Sequence, residues 1–380
     1  MQTLTAQKVK EMALEFGADV VGIGNIERWE GSPIQQDPRQ IMPEAKSVIA
    51  MAFRVMRGSL RGIEEGTFFS NYSAMGYGGL TYLYMPLACI NLAKFIEDHG
   101  YEAVPYGHQS DWRAIDNEGN VRKGVAIPVR PGQAVPDVAV HLRVAAYLAG
   151  VGEIGWSKML LTKKLGPRQR IGIIITDAPL EPDPIIPPGT ICNNCKACVS
   201  ACPGQAIPKD KAVKVKLGGY DVEWADVNMK RCDFCFKGAD NKEADNGLPD
   251  YMDPFWQQRS KPGWWSPFFK KPRNLYNTGQ AICGARGCTR ACMIALEARG
   301  AVDNKFHDSF RRRPAWKIDW DKAGDPDRAR LAAEEAKPEE QKKAEEAARI
   351  ATARLEARGE AWGENAKTLA QNSGHSFETD

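Results

Sequence analysis

Apolar and polar residues in the first half of the chain alternate between the repeat of an amphipathic helix and the unbroken apolar runs of buried strands. In chain order, the predicted elements are a helix and strand at 5–24, a strand at 47–55, a helix at 80–100, a strand at 101–107, a helix at 139–155 and a strand at 170–180. Gly100 is a typical C-cap for the long apolar helix. This alternation predicts an α/β core over residues 1–185.

The composition of the chain changes twice after this core. A proline-rich stretch at 179–189, PLEPDPIIPPG, predicts a semi-rigid linker into a cysteine-bearing domain at 186–300, which contains an insertion at 236–282. A charged C-terminal extension occupies 301–380. Within it, residues 323–371 are rich in Ala, Glu, Lys and Arg, and we expect one or two solvated helices or a partly disordered tail.

Length and charge exclude only a few classes of function. The chain has 380 residues, enough for two domains, and its net charge of +3 is too close to neutrality to favour DNA as a partner. A run of about 18 apolar residues is missing, so no membrane span is predicted. The N-terminal residues are typical of a helix leading into a strand rather than of a signal peptide, which predicts a cytoplasmic protein.

The strongest motif is a run of four cysteines followed by proline. Cys192, Cys195, Cys198 and Cys202 precede Pro203 in the spacing C-x2-C-x2-C-x3-C-P, which is the ligand run of bacterial ferredoxins. A zinc site typically uses two pairs of ligands, and disulfides are rare inside cells, so iron–sulfur ligation is favoured over both. In two-cluster ferredoxins the fourth cysteine of such a run ligates the other cluster.

The remaining ligands are expected in two separated pieces of a second run. CDFC supplies Cys232 and Cys235, and CTRAC supplies Cys288 and Cys292, with the insertion between them. Ferredoxin pseudo-symmetry then predicts two [4Fe-4S] clusters. The first set of ligands is Cys192, Cys195, Cys198 and Cys292, and the second set is Cys202, Cys232, Cys235 and Cys288.

Two further cysteines and one missing proline qualify this assignment. Cys283 is an alternative to Cys288 as the eighth ligand. No proline follows Cys292, which departs from the ferredoxin pattern in the second half of the assignment. Cys89 lies in the long apolar helix and is expected to be a core residue, because free cysteine is usually buried.

A series of motifs resembles one enzyme family. GADVVGIG, FIEDHGYEAVP, AGVGEIG, KLGPRQRIGIIITDAPLEPD and the cysteine run occur in this order between residues 5 and 295. The series resembles the corrinoid-dependent reductive dehalogenases and the related epoxyqueuosine reductases. The resemblance implies a nitroreductase-like α/β core that binds cobalamin in the base-off form, without a histidine ligand from the protein. It also implies a ferredoxin-like domain whose two [4Fe-4S] clusters reduce the cobalt.

The glycines of AGVGEIG are the candidate cofactor contacts. Gly150, Gly152 and Gly155 would allow the backbone to approach a large planar ligand closely. The alternative is that these glycines only pack a helix against a strand. A flavin could also fill an α/β site of this kind.

The resemblance further implies a proton donor and a basic neighbour. The family's tyrosine lies about one helix before the GY-x-A-x-P strand, which corresponds best to Tyr82 and second best to Tyr84. The family's basic residue falls in GPR-x-R, which gives Arg170 in preference to Arg168. His108 stands where the dehalogenases commonly have asparagine, and a histidine can itself donate a proton near neutral pH.

Two other positions leave the substrate open. In epoxyqueuosine reductases an aspartate shortly before AG-x-G is the acid; Asp137 lies near that place, although a strict count reaches Pro136. Trp156 stands where the dehalogenases usually have arginine.

The insertion contains an aromatic segment at 251–269, YMDPFWQQRSKPGWWSPFF. It is too apolar for a plain linker. Three interpretations remain open: a cover over the cofactor and substrate channel, a contact with a partner or with a membrane surface, and the core of a small subdomain.

Three functions are compatible with these patterns. The first is reductive dehalogenation of a small organohalide, with electrons delivered by a ferredoxin- or flavodoxin-type donor. The second is an epoxyqueuosine-type reduction of a tRNA base, which would favour a basic surface and an intact second cysteine run. The third is an electron-transfer subunit without a substrate of its own.

Overall fold

The computed structural model describes residues 3–65, 67–68, 71–108, 136–236, 285–310 and 317–323, together with positions 128, 130, 132–134, 325 and 328. The described residues form a mixed α/β structure, which confirms the predicted class. The helices are α1 (Ala6–Glu15), α2 (Arg57–Glu65), α3 (Met85–Glu97), α4 (Leu142–Leu148), α5 (Ala197–Ser200), α6 (Met229–Phe236), α7 (Cys288–Ala298) and α8 (Trp320–Ala323), with a π-helix at Tyr72–Tyr84. The strands are β1 (Val20–Asn25), β2 (Ser47–Arg54), β3 (Ala103–Tyr106), β4 (Glu153–Ile154), β5 (Leu160–Leu161), β6 (Gln169–Thr176), β7 (Ala212–Leu217) and β8 (Tyr220–Ala225).

The main sheet has four strands in the order β1-β2-β6-β3, and each neighbouring pair is antiparallel. Strand β2 is buried at every position except Arg54, which explains why it reads as an unbroken apolar run. The register pairs Ile49 with Ile174 and Phe53 with Arg170. Two separate hairpins, β4–β5 and β7–β8, lie outside this sheet.

The largest core cluster lies between the sheet and helices α1 and α3. It combines strand residues such as Ile49 and Ile174 with helix residues such as Val9, Leu92 and Ile96, all fully buried. Burying an aliphatic side chain of this size contributes about 1.5–3 kcal/mol. Cys89 is also buried in this cluster, where it packs as an apolar residue.

Helix α4 packs on β1 through a contact that requires glycine. A Cβ atom on Gly22 would lie 2.2 Å from the carbonyl oxygen of Ala149, and one on Gly24 would lie 2.9 Å from that of Leu148. Both neighbours are backbone atoms, so a side chain on β1 would push the end of α4 away from the sheet. Gly22 and Gly24 therefore place α4, which carries Arg143, against the sheet.

The helical stretch Tyr72–Glu97 is longer than the sequence predicts. It begins with the π-helix and continues as α3. Among the described residues it is the one helix that is long and apolar enough to span a membrane by length and composition, with 39% of its apolar window buried. Core helices of soluble proteins meet the same criterion, so this is weak evidence for a membrane span. Met85, Ala88 and Leu92 of this stretch pack in the main core.

The predicted helix at 139–155 is much shorter in the structure. Helix α4 ends at Leu148, and Gly150 then adopts a left-handed backbone conformation with φ +74°. Left-handed glycine is a common helix terminator. The residues that follow turn into the short strand β4, so Glu153 belongs to a hairpin and not to a helix.

The chain divides into two compact units. One comprises residues 1–28, 45–108 and 142–330, and contains the main sheet and every described cysteine. The other comprises 29–44, 109–141 and 331–380, of which the structure describes mainly 29–44 and 136–141. In this second unit, Gln35 donates from Nε2 to the carbonyl oxygen of Asp137 at 3.0 Å. The predicted domain boundary near residue 185 stays a prediction.

Candidate active site and cluster-binding residues

A buried carboxylate holds the start of the cysteine loop. Glu153 in β4 is 3% exposed. Its oxygens accept hydrogen bonds from the backbone N–H groups of Gly189 at 2.7 Å, Ile191 at 2.6 Å and Cys192 at 3.2 Å. A carboxylate removed from water needs donors of this kind. These bonds fix the first predicted ligand, Cys192, against the core.

The next part of the loop turns sharply around Cys195. Asn194 and Lys196, on either side of it, both have left-handed backbone conformations, with φ +58° and +57°. Such a conformation is uncommon for residues other than glycine. Helix α5 then begins at Ala197, so Cys198 is carried on a helix and Cys195 on an exposed turn.

Four thiols share one neighbourhood in the first predicted set. Burial, together with the charges of Cys192 and Cys195, raises the pKa of Cys198 to about 11. Burial also raises the pKa of Cys292 in α7 to about 12, with added contributions from Cys192, Cys198 and Cys195. The structure therefore brings Cys292, which is distant in sequence, together with the first three cysteines of the run.

The other four thiols form a second neighbourhood. Burial raises the pKa of Cys235 on α6, with contributions from Cys202, Cys232 and Cys288. Burial also raises the pKa of Cys288 on α7, to which Cys202 and Cys232 contribute most among the thiols. A Cβ atom on Gly204 would lie 2.3 Å from Cys235 Sγ, so the glycine after Pro203 leaves the space that this thiol occupies.

A cavity lies at the second set of thiols. Its lining includes all four of these cysteines and two cations, Arg143 and Lys158. The remaining lining residues are Ser157, Met159, Pro203, Ile207, Val227 and Met229. Arg143 donates from Nη1 to the carbonyl oxygen of Lys158 at 2.9 Å, which ties the two cationic residues together.

The two thiol sets have the donor chemistry of [4Fe-4S] clusters. Each set consists of four cysteines, which is the ligand complement of one cubane cluster. Within the described residues, no group of three or more His, Cys, Asp or Glu side chains is arranged to hold a single metal ion. A cubane cluster is larger than a single ion, and each of its iron atoms is bound by a different thiolate. The backbone N–H of Ala206 donates to Cys202 Sγ at 3.3 Å, a type of bond that tunes cluster potentials.

The predicted donor residues lie in a group that we call the tyrosine cluster, which consists of Tyr72, Tyr77, Tyr82, His108 and Arg170. Tyr82 Oη lies 3.3 Å from Nδ1 of His108 and 3.4 Å from Oη of Tyr77. The Arg170 guanidinium lies over the Tyr77 ring, 4.4 Å from its centroid, and donates to Tyr72 Oη. The structure thus brings Tyr82, His108 and Arg170 together, with Tyr77 between the tyrosine and the arginine.

The electrostatic environment of the tyrosine cluster is cationic. Burial lowers the pKa of His108, and the charges of Arg170 and Arg143 lower it further. The pKa of Arg143 is itself lowered by burial, while Cys232 acts in the opposite direction. Arg143 is therefore electrostatically coupled both to His108 and to the second thiol set.

The alternatives to Tyr82 and Arg170 lie elsewhere. Tyr84 is 50% exposed, and its hydroxyl donates to the carbonyl oxygen of Gly17 at 3.4 Å. Arg168 is buried and lies 3.7 Å from a carboxylate oxygen of Glu64. Neither contact belongs to the tyrosine cluster.

The predicted cofactor glycines pack against the chain itself. A Cβ atom would lie 2.5 Å from the carbonyl oxygen of Pro184 at Gly150, and 2.3 Å from that of Leu161 at Gly152. At Gly155 it would lie 2.8 Å from Leu161 Cδ1. This geometry matches the packing interpretation, and a cofactor contact at these glycines stays a prediction.

Two of the remaining candidates are among the described residues. Trp156 packs in a cluster with Cys198 and Cys202, and its Nε1 donates to the carbonyl oxygen of Pro208 at 3.0 Å. Asp137 belongs to the second compact unit. Cys283 and the aromatic segment at 251–269 lie outside the described residues.

Three residues of this site were missed by the sequence reasoning. Tyr77 was hidden in a glycine-rich stretch that predicts no helix. Arg143 and Glu153 both fall in the helix predicted at 139–155, and nothing in that pattern marks them as site residues. Their roles depend on contacts across long distances in sequence, although a charged residue within an otherwise apolar stretch is a usable signal.

Comparison with known proteins places these residues in context. No family model matches the chain. The tetrachloroethene reductive dehalogenase of Desulfitobacterium hafniense is 32% identical over 164 residues, which are 40% of this chain and 24% of that enzyme. The epoxyqueuosine reductase of Gloeobacter violaceus is 27% identical over 191 residues, which are 50% of each chain. The chain is related to these reductases. This confirms the resemblance inferred from the motifs, although the chain spans only about a quarter of the length of the dehalogenase.

Solved structures of both groups of reductases show a distant likeness. A catabolic reductive dehalogenase in complex with 3-bromo-4-hydroxybenzoic acid matches 59% of this chain and 28% of its own, with a TM-score of 0.40 and 23% identity. An epoxyqueuosine reductase with a tRNA-Tyr stem loop matches 79% of this chain and 76% of its own, with a TM-score of 0.38 and 16% identity.

Proposed function

We propose that the chain is a cobalamin-dependent reductase that removes halide from a small organohalide, with electrons relayed through two [4Fe-4S] clusters. The observation that carries the proposal is the separation of eight cysteines into two sets of four, one of which lines a cavity next to Arg143. A pair of clusters implies a path for single electrons. The tyrosine cluster supplies a candidate proton donor electrostatically coupled to that path.

The overall reaction consumes two electrons and one proton. The carbon–halogen bond breaks, a carbon–hydrogen bond forms, and halide leaves as an anion. Cobalamin, when bound, supplies the low-potential metal chemistry. The two electrons come from an external ferredoxin- or flavodoxin-type donor through the clusters, and the proton comes from the protein.

Tyr82 is the proposed proton donor. Its hydroxyl contacts His108 Nδ1, and Arg170 adds a positive charge within the same cluster. A nearby cation stabilises the tyrosinate that remains after proton transfer. The lowered pKa of His108 keeps its ring neutral near pH 7, so the ring can accept or relay a proton.

Several finer predictions belong to this proposal. We assign residues 1–185 to a nitroreductase-like core and 186–300 to a ferredoxin-like domain, with the charged extension at 301–380. Gly150, Gly152 and Gly155 remain candidate cofactor neighbours. A cytoplasmic location is proposed from the oxidant-sensitive ligand set.

The decisive measurement is metal content together with turnover. Protein purified without oxygen should contain about eight irons per chain, since two cubane clusters contain four irons each. It should also bind one cobalamin per chain and release halide from halophenols or chloroethenes with a reduced low-potential donor. Four irons, or tight binding of flavin in place of cobalamin, would contradict the proposal.

A second candidate is the reduction of epoxyqueuosine in a tRNA. The Gloeobacter relative favours it, because that match covers 50% of each chain whereas the dehalogenase match covers 24% of the relative. A modified tRNA anticodon stem-loop tested in parallel with the organohalides distinguishes the two functions. Turnover of the stem-loop with no halide release would select the second.

A further inference from the structure

We propose that Arg143, together with Lys158, raises the reduction potential of the cluster held by Cys202, Cys232, Cys235 and Cys288. The inference rests on the proposed function, because it assumes that this thiol set holds a [4Fe-4S] cluster. It adds a role for two cations that the sequence motifs did not single out.

The geometry places both cations at the cluster site. Arg143 and Lys158 line the same cavity as the four thiols. The Arg143 guanidinium donates to the Lys158 carbonyl oxygen at 2.9 Å, so its position is fixed by the backbone of the β4–β5 hairpin. Lys158 itself has a left-handed backbone conformation, with φ 62°, at the turn of this hairpin.

Electrostatics gives the direction of the effect. A cubane with four thiolates becomes more negative by one charge when it is reduced. A fixed positive charge beside it stabilises the reduced state more than the oxidised state, which raises the potential. The effect is strong here because the apolar residues Met159, Ile207 and Val227 also line the cavity and lower the local dielectric.

The first thiol set has a different cation and provides the control. Lys196 is electrostatically coupled to Cys198 and Cys192, and its ammonium group lies over the Trp156 ring. Replacing Lys196 removes one positive charge from the same domain without touching the cavity of the second set. It therefore separates a local effect of Arg143 from a change in net charge.

The test is a redox titration of the full chain with both clusters assembled, followed by EPR spectroscopy. At a fixed potential, Arg143→Gln should lower the reduced-to-oxidised ratio of one cluster about tenfold, which corresponds to 59 mV for one electron. The other cluster should not change. Arg143→Lys, which keeps the charge, should give a reduced-to-oxidised ratio within about threefold of wild type. Lys196→Gln should leave the ratio of the cluster affected by Arg143→Gln unchanged.

Each outcome decides the proposal. If Arg143→Gln contains eight irons and both clusters titrate as in wild type, the proposal is wrong. If Arg143→Gln loses iron, the titration is repeated with Lys158→Gln. The proposal then requires that this variant lowers the reduced-to-oxidised ratio of the same cluster. A wild-type protein that lacks the second cluster would instead contradict the proposed function. Iron analysis detects that failure before any titration, so the two failures can be told apart.

Discussion

Tyr77 links the residues proposed for proton transfer. Its ring packs edge-on against Tyr82 and His108, with centroid distances of 5.8 and 6.1 Å, and the Arg170 guanidinium lies over it. A cation over an aromatic face is attracted by the ring quadrupole and becomes fixed in position. Tyr77 therefore sets the spacing between Tyr82 and the charge that assists it.

Replacement of Tyr82 should separate chemistry from assembly. We expect Tyr82→Phe to keep both clusters and the cofactor but to lose at least about a hundredfold in turnover, the usual scale for general acid catalysis. Tyr84→Phe is the matched control, because Tyr84 lies in the same π-helix and is 50% exposed. Steady-state kinetics on the two variants checks this. Equal turnover of the two would show that the proton donor lies elsewhere, with His108 and then Asp137 as the next residues to test.

His108 should make stability depend on pH. Its pKa is lowered first by burial and then by Arg170 and Arg143, so the unfolded chain binds a proton more tightly than the folded one. The free energy of unfolding should therefore fall as the pH drops below the ordinary histidine value of about 6.5. Urea unfolding at several pH values should show a shallower dependence in His108→Gln. His307→Gln, in which the replaced side chain is 99% exposed, is measured in parallel as the matched control.

At the scale of elements, the contact between β1 and α4 depends on the absence of a side chain. A Cβ atom on Gly22 would lie 2.2 Å from a backbone oxygen, so Gly22→Ala should destabilise the protein by about 1–3 kcal/mol. Gly58→Ala in α2 is the control, because nothing lies within 4 Å of its added Cβ. Alanine favours helix there, so the control should be neutral or slightly more stable. Urea unfolding measures both, and equal stability of the two variants would contradict the packing argument.

Local patterns predicted some elements closely and others poorly. The apolar run at 47–55 corresponds to β2, because a strand buried on both faces leaves a continuous apolar signal. The helix predicted at 80–100 begins instead with the π-helix at Tyr72, since glycines that read as breakers are accommodated by packing. A Cβ atom on Gly76 would lie 2.7 Å from the Tyr72 ring, which is a contact that no local pattern shows.

The same distinction applies to the site. Cysteine spacing assigned the thiols to two sets, because ligand geometry imposes a short and specific pattern, and their role as cluster ligands stays a prediction. Arg143 and Glu153 could not be predicted as site residues, because each interacts with residues that are remote in sequence. Contacts of that kind depend on the tertiary structure and carry no periodic signal.

At the scale of the whole molecule, Glu153 connects the core to the cysteine loop. Glu153→Ala would leave the N–H groups of Gly189, Ile191 and Cys192 without their carboxylate acceptor. Each buried unpaired donor costs about 1–3 kcal/mol. Only Ile191 of the three is buried, so we expect a loss of stability of about 1–3 kcal/mol and fewer irons per chain. Glu181→Ala is the control, because Glu181 is exposed in the same linker. Normal iron content in Glu153→Ala would show that the carboxylate is dispensable for the loop.

The Glu153 contact also bears on the order of events during biosynthesis. The acceptor for the loop lies in β4, which pairs with β5. The loop can take its shape only after that hairpin has formed, so folding of the core should precede the arrival of iron. A chain freed of iron by chelation should therefore keep the core's cooperative thermal transition. Loss of the transition together with the iron would show that iron binding precedes folding of the core. On this view the newly synthesised apoprotein is already folded when its clusters are inserted.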